Sequence, residues 1–358
     1  MARSYIVPSV AEIKEKLKTD GSRFEVVSLF AGGGGSSTGY RMAQGKVLAI
    51  NEFIPEAVKT YSANWPDTLI LPGDVRALTG KDLLSAIGKE QGQLDILDGS
   101  PPCSAFSTAG ARQKGWGKVK KYSDASQKNV EDLFFEYIRI LTEVRPKVFV
   151  AENVSGLAKG AAKGYLNEII RQLRGAGYHV ECKILDAQWL GVPQTRARTI
   201  FVGVRNDLYQ QEMKGNLHPK PLATQLTLAQ AFDGLKFSEK DRADTDVSKY
   251  AVGQELRRLS RGKQSKKYFQ LVKAHPDKPS GCITATYKIR GAAKIMHWDN
   301  RCFSIAELKR IMSVPDDYVL TGLYPQQAER LGRMVAPFMM KAIAEQILSL
   351  GVLSENSK

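Results

Sequence analysis

An α/β chain built on a doubly wound, parallel sheet is the fold this sequence predicts, on three observations. Between residues 24 and 204, short apolar runs alternate with longer amphipathic ones, as strands joined by crossover helices do. The first apolar run closes in a glycine-rich turn, Leu29-Phe30-Ala31-Gly32-Gly33-Gly34-Gly35. Later runs close on polar or proline-rich segments, at the strand ends where ligands of such sheets sit.

The strand-like runs are residues 24–29 (FEVVSL), 46–50 (KVLAI), 94–97 (LDIL), 147–151 (KVFVA) and 199–204 (TIFVGV), and a further strand end precedes Gly73. Helical stretches fall at 55–64, 129–144 and 165–174. Ahead of them, residues 9–18 read as a short helix, with Ser9 and Glu12 spaced as a capping box. After residue 205 the alternation weakens. Residues 206–280 contain several prolines and a basic stretch at 257–267 (RRLSRGKQSKK), and read as a second, smaller domain or a large insertion. Periodicity resumes at 304–312, and 326–350 reads as a long helix interrupted at Ala336-Pro337. The last residues, SENSK, read as a frayed tail.

Composition narrows the partners. Lys and Arg total 52 against 37 Asp and Glu, giving a net charge of +15 over 358 residues. Such a surface favours polyanions, nucleic acid above all, although basic proteins without nucleic-acid partners also occur. No signal-peptide core or membrane-length apolar run is present. The four cysteines, Cys103, Cys182, Cys282 and Cys302, form no CxxC pair. That spacing argues against a metal cluster and a disulfide framework, and fits a reducing cytoplasm.

The motifs carry the chemistry. Glycines after the first strand let backbone approach a ligand, and the following helix N-terminus offers free N–H groups to an anion. The turn lacks the GxGxxG register of a dehydrogenase. Glu52, at the second strand end, suits the two hydroxyls of a ribose, and Asp74, after Gly73, suits an adenine amino group. Either acid alone reads equally as a cap or a solvated charge; three strand ends in order point to an adenosyl ligand. The fourth strand leads into Asp98-Gly99-Ser100-Pro101-Pro102-Cys103. A double proline fixes the backbone and presents Cys103 as a nucleophile, whereas an isolated cysteine is ordinarily an inert small hydrophobe. The loop at 108–128 combines three glycines with six Lys or Arg, and reads as a lid over a phosphate backbone or as a disordered surface segment. Glu152, in Ala151-Glu152-Asn153-Val154, could donate to a ring nitrogen of a base when protonated. In Gln194-Thr195-Arg196-Ala197-Arg198, extended backbone would put Gln194, Arg196 and Arg198 on one face. They would there serve phosphate and base edges or structural carboxylates.

The ordered set FAGGGG, NE, GDV, GSPPCSAFS, ENV and QTRAR, with PDDY at 315–318 and GRMVAP at 332–337, resembles the motif series of the C5-cytosine DNA methyltransferases. The likeness covers roughly residues 24–205 and 280–350, and the order PPC, ENV, QxRxR is specific. It implies an S-adenosylmethionine-dependent, Rossmann-like methyltransferase fold. Residues 1–205 would form the catalytic and cofactor-binding domain, with 1–22 an N-terminal extension. Residues 206–300 would form a smaller target-recognition domain, and 301–358 would return to the catalytic domain. S-adenosylmethionine would be held by Phe30, Ala31, Gly32, Gly34, Gly35, Glu52, Phe53, Asp74, Val75, Pro101, Arg333 and Val335. Cys103 would attack C6 of a flipped cytosine, Glu152 would bind N3 and the exocyclic amine, and Arg196 and Arg198 would hold the nucleotide. Ser107, Arg112, Gln113, Lys114, Gln194 and Thr284 would contact DNA.

The expected setting is a monomer in a bacterial cytoplasm or encoded by phage, associated with the nucleoid. Its partner would be double-stranded DNA, with a cognate restriction endonuclease as a functional rather than physical companion. One departure stands out: the family's late motif has Asn after Gly, where this chain has Arg333. Arg333 either pairs with a structural acid or gives a carboxylated sulfonium donor a charge partner. Competing functions are an RNA cytosine-5 methyltransferase, a nucleic-acid-binding regulator with a decayed catalytic domain, and a nicotinamide-dependent dehydrogenase.

Overall fold

The computed structural model describes residues 5–102, 120–121, 126–127, 132–158, 162–287 and 294–353. The chain forms two compact units. One gathers residues 14–185, 197–220 and 340–358; the other gathers 1–13, 186–196 and 221–339. Helices α1 (Val10–Asp20) and α12 (Pro337–Ser349) have residues in both.

The first unit is organised by a seven-stranded sheet. In chain order its strands are β1 (Phe24–Leu29), β2 (Gly45–Glu52), β3 (Leu69–Pro72), β4 (Ile96–Gly99), β7 (Val148–Val154), β8 (Tyr178–Asp186) and β9 (Ala197–Arg205). The two-residue strands β5 (Lys120–Lys121) and β6 (Ser126–Gln127) pair separately. Strand order across the sheet is β3-β2-β1-β4-β7-β9-β8. Helices α2 (Gly35–Met42), α3 (Pro55–Asn64), α4 (Gly80–Ile87), α5 (Leu133–Val144) and α6 (Lys163–Gly175) fall between strands.

Adjacent strand residues point to opposite faces, which shows that the sheet is covered on both. Leu97 belongs to the apolar cluster with Tyr137 and Leu141 of α5, while the next residue, Asp98, meets Tyr40 of α2. Central strands β1 and β4 are accordingly apolar and almost entirely buried. Burying a strand on both faces removes the polar alternation that would otherwise mark it.

Two strands differ from the sequence expectation. Strand β9 runs antiparallel to β7, because no crossover helix separates β8 from β9, and a parallel return needs one. Edge strand β8 was missed altogether. Its mixed sequence, with His179, Glu181 and Lys183 among its residues and Lys183 and Ile184 exposed, carries little apolar signal. The break expected near Ala336-Pro337 is observed: α11 (Tyr324–Arg333) ends and α12 begins at Pro337.

In the second unit, α7 (Leu228–Phe232), α8 (Glu239–Thr245), α9 (Ala251–Arg258), α10 (Ile305–Ile311) and α11 accompany a two-residue parallel pair, β10 (Val272–Lys273) and β11 (Ile295–Met296). Short helices need strong ends. Thr227 with Gln230, Ser238 with Asp241, and Ser304 with Glu307 form reciprocal capping boxes. Phe232 stacks on His297 and Trp298, whose own rings are tilted against each other. Burial, with Arg301 and Arg261 nearby, pushes His297 down to about 2, so its ring is neutral. Among the described residues no helix is long and apolar enough to cross a membrane.

Sheet packing depends on glycine at one cross-strand pair. Gly203 of β9 lies opposite Phe149 of β7, and a Cβ built at Gly203 would overlap the Phe149 ring. Gly203→Val is expected to lower unfolding stability by about 1–3 kcal/mol through overpacking. Urea denaturation measures it, and an unchanged midpoint would show that the ring can move aside.

Candidate active site

Beyond a strand's last ladder bond, backbone polar groups need new partners. At the carboxyl ends of β1, β2, β3, β4 and β7 the partners come from one another. Ala31 N donates to Asn51 O at 3.1 Å, Gly73 N to Glu52 O at 3.0 Å, and Ser100 N to Leu29 O at 3.4 Å. Asn51 Nδ2 donates to the carbonyls of Leu71 and Gly73, at 2.9 and 3.0 Å. The carboxylate of Glu52 accepts from Gly32 N at 2.6 Å and from Ile54 N at 2.7 Å. Asn153 Nδ2 donates to Pro101 O at 3.2 Å, tying the end of β7 to the proline turn that precedes Cys103.

The glycine-rich turn is strained at one side chain. Phe30 has φ 55°, a left-handed value that a Cβ disfavours by roughly 1–2 kcal/mol. Gly32 and Gly34 follow at φ 56° and 88°, where glycine costs nothing comparable. A Cβ built at Gly32 or at Gly73 meets nothing within 4 Å, so both strand ends are open to a ligand. Ala31 and Phe53 are half-buried beside these turns, and Gly35 opens α2. Asp74 caps the turn Val75–Ala77 and is held by Arg76 through its backbone N–H (3.0 Å) and guanidinium (2.9 Å). Any adenine contact would share that carboxylate. Val75, expected beside the cofactor, begins this turn with its side chain in the buried apolar cluster that includes Leu83 and Leu133.

Glu152 and Arg198 are brought together. Glu152 lies opposite Ile200 in the β7–β9 ladder, which makes Arg198 its diagonal neighbour, within reach of a long side chain. Arg198 Nε approaches Glu152 Oε1 at 2.7 Å, both side chains largely buried. The reversed direction of β9 brings this arginine to the end of β7.

Asp98 was given no role from sequence. It is 1% exposed, and its carboxyl accepts from two hydroxyls, Ser28 Oγ at 2.6 Å and Tyr40 Oη at 3.2 Å. Burial, reinforced by the negative Glu152 and opposed by these bonds, pushes its carboxyl up from 3.8 to about 7. An acid within an otherwise apolar strand was the available signal.

Other residues expected at the site serve the second unit instead. Arg196 is 2% exposed; its guanidinium donates to Ile283 O at 3.0 Å, Gly332 O at 3.0 Å and Met334 O at 2.8 Å. Gln194 is fully buried, donating to Ile311 O at 3.3 Å and accepting from Ile283 N at 3.0 Å. In this structure, against the expectation of surface contacts, the Gln194 amide and the Arg196 guanidinium are turned into the protein, onto these backbone groups and the sulfurs of Met312 and Cys282. Between β8 and β9, residues 187–196 form no continuous strand and Gln194 makes only an isolated bridge to Ser280, so the shared strand face expected for Gln194, Arg196 and Arg198 does not form. Thr284 is half-buried and bonded to Thr286 at 3.0 Å, and Val335 is buried in the core. Arg333 pairs with Glu329 one helical turn earlier, at 2.8 and 2.9 Å. This is the pairing with a structural acid, one of the two readings the sequence left open for Arg333.

Cys103, Ser107, Arg112, Gln113 and Lys114 lie outside the described residues. Of the other thiols, burial pushes Cys182 up to about 11 and raises Cys302, so neither is a ready nucleophile near neutral pH. Among the described residues no cluster of His, Cys, Asp or Glu could hold a metal ion.

A family model for C-5 cytosine-specific DNA methylases matches residues 24–349. The type II methyltransferase M1.HphI of Haemophilus parahaemolyticus is 31% identical over 350 residues, covering 90% of this chain and 86% of the relative. M.SacI of Streptomyces achromogenes is 28% identical over 377 residues, covering 92% and 94%. Among solved structures, DNMT2 of Spodoptera frugiperda, as a triple mutant, shares the fold with a TM-score of 0.64 at 21% identity, covering 92% of this chain and 99% of that one.

Two outcomes are expected. The folded protein holds a proton on Asp98 that the unfolded chain releases above about 3.8. The resulting stability is present below that pH and is lost as pH rises through about 7. In Asp98→Asn the decline across that window should shrink by on the order of 2–4 kcal/mol, read from urea midpoints at successive pH values; an unchanged profile would mean the carboxyl is ionised when folded. Arg196→Lys should cost about 2–4 kcal/mol by leaving carbonyls unsatisfied. Loss of DNA binding at unchanged stability would restore a nucleotide role for Arg196.

Proposed function

The chain belongs to the C-5 cytosine-specific DNA methylase family and is a DNA (cytosine-5-)-methyltransferase, and from that premise we propose how its residues divide the reaction. The target cytosine leaves the duplex stack, at a cost of a few kcal/mol, because C5 and C6 are inaccessible within it. The Cys103 thiolate adds to C6, and the electron pair displaced from the C5–C6 double bond makes C5 a nucleophile. Glu152 contacts N3 and the exocyclic amine and stabilises the charge that reaches the ring, while Arg198 fixes the orientation of the carboxyl group. After methyl transfer a base removes the C5 proton and Cys103 departs as thiolate, restoring the double bond. The observation that carries this reading is the Glu152–Arg198 pair, adjacent in sequence to the Asn153 bond that holds the Pro101 turn.

S-adenosylmethionine, when bound, supplies the methyl group. The residues present fit it: an aromatic ring at Phe30, a carboxylate at Glu52 for the ribose, the shared carboxylate of Asp74, and open space at Gly32 and Gly73. The type II relatives support a place in restriction–modification, beside an endonuclease that cleaves the same sequence unmethylated. An RNA cytosine-5 methyltransferase is the competing reading; tritium transfer to duplex DNA but not to tRNA separates the two.

A stable adduct with duplex DNA carrying 5-fluorocytosine is expected on denaturing gels, since fluorine at C5 blocks the final elimination. Cys103→Ser should abolish the adduct and lower methylation by at least about 10³-fold. Full methylation by that variant would overturn the assignment.

A further inference from the structure

In the second unit, residues 262–273 double back as a hairpin. Gly262 N donates to Lys273 O at 2.7 Å, Lys273 N to Lys263 O at 3.0 Å, and Ser265 N to Leu271 O at 2.8 Å. Gln264 bridges Val272 in antiparallel sense. The tip is Lys266-Lys267-Tyr268-Phe269-Gln270. Buried Ser265 anchors it: its Oγ accepts from the backbone N–H groups of Lys267 and Tyr268, each at 3.0 Å, and donates to Glu255 Oε1 at 2.6 Å. Leu271, just after the tip, is fully buried.

At this fixed tip Phe269 is 80% exposed. A lone exposed apolar residue is ordinary; this one differs in its backbone and its surroundings. Gln270 beside it adopts φ 73°, a left-handed value unusual for a side chain with a Cβ. Strain of this kind persists only where surrounding structure imposes it, and it concentrates at binding segments. Arg257, Arg258, Arg261, Lys263, Lys266 and Lys267 are all exposed on or near the hairpin. An unburied ring among cations suits a partner that offers both flat stacking faces and regularly spaced negative charge. Nucleic acid offers both.

We propose that hairpin 262–273 is a duplex-DNA contact in which Phe269 stacks on or wedges into a base step while Lys266 and Lys267 engage flanking phosphates. The proposal rests on the DNA-methyltransferase reading and names an element and a residue for it. Wedging an apolar side chain into a step costs partial unstacking and is offset by the contact area gained. Because stacking tolerates sequence, the ring contributes to duplex binding generally, and the lysines set its salt dependence.

The test uses the full-length protein with a fluorescein-labelled 30-base-pair duplex of mixed sequence, titrated by anisotropy at several salt concentrations. Phe269→Ala is expected to weaken binding about 5- to 50-fold with the salt slope unchanged, and Phe269→Trp to retain it. Lys266→Ala/Lys267→Ala should reduce the slope of log K against log salt by about 2. Binding by Phe269→Ala within twofold of the parent protein, or a change only in self-association by light scattering, overturns the proposal. Failure of the parent protein to bind or methylate duplex DNA would instead count against the functional reading beneath it. The exposed tip leaves the core untouched, so thermal unfolding of all three variants should match the parent.

Discussion

The site depends on a physical constraint at the rim of the sheet: the backbone just past each strand end must be satisfied without a ladder. This chain meets it by cross-tying neighbouring ends. Asn51 joins β2 to the turn after β3, Glu52 gathers the amides of Gly32 and Ile54, and Asn153 holds the turn after β4 from the end of β7. Each tie is local and worth only about 1 kcal/mol net. Together they turn separate loops into one framework, so a group placed at any of these ends inherits fixed geometry. They also explain why Glu52 cannot be judged as a ligand group alone, since its carboxylate already shapes the glycine turn.

What was legible in the sequence was local. A glycine turn, a double proline and polar residues ending an apolar run are signalled within a few positions, so the ends of β1, β2, β4 and β7 could be read directly. The reversed strand β9 and the polar edge strand β8 could not, because direction and edge position are set by neighbours far away in sequence. Asp98 illustrates the same limit. Its type was visible in the strand, but its protonation depends on Ser28 and Tyr40, 70 and 58 positions away.

The QTRAR segment shows how a motif can be read correctly as important and wrongly as a unit. Period-two alternation applies only to a strand, and here the strand starts at Ala197. Arg198 therefore joins Glu152, whereas Arg196 closes three carbonyls drawn from residues 283 to 334. A planar fork of five donors suits that task better than an ammonium would. The same accounting disposes of Arg333. Its helix places Glu329 four residues earlier on the same face, and that pairing explains the departure from the family's asparagine without any change of methyl donor.

Asp98 and Glu152 complete the electrostatic picture. Both are acids at neighbouring strand ends, and Glu152 adds to the burial that raises the carboxyl of Asp98. Their partners differ: Glu152 has the guanidinium of Arg198, while Asp98 has two hydroxyls in a buried setting. At Asp98 burial outweighs the hydroxyl bonds and favours the protonated form. The protonated form also removes a negative charge from the buried strand β4.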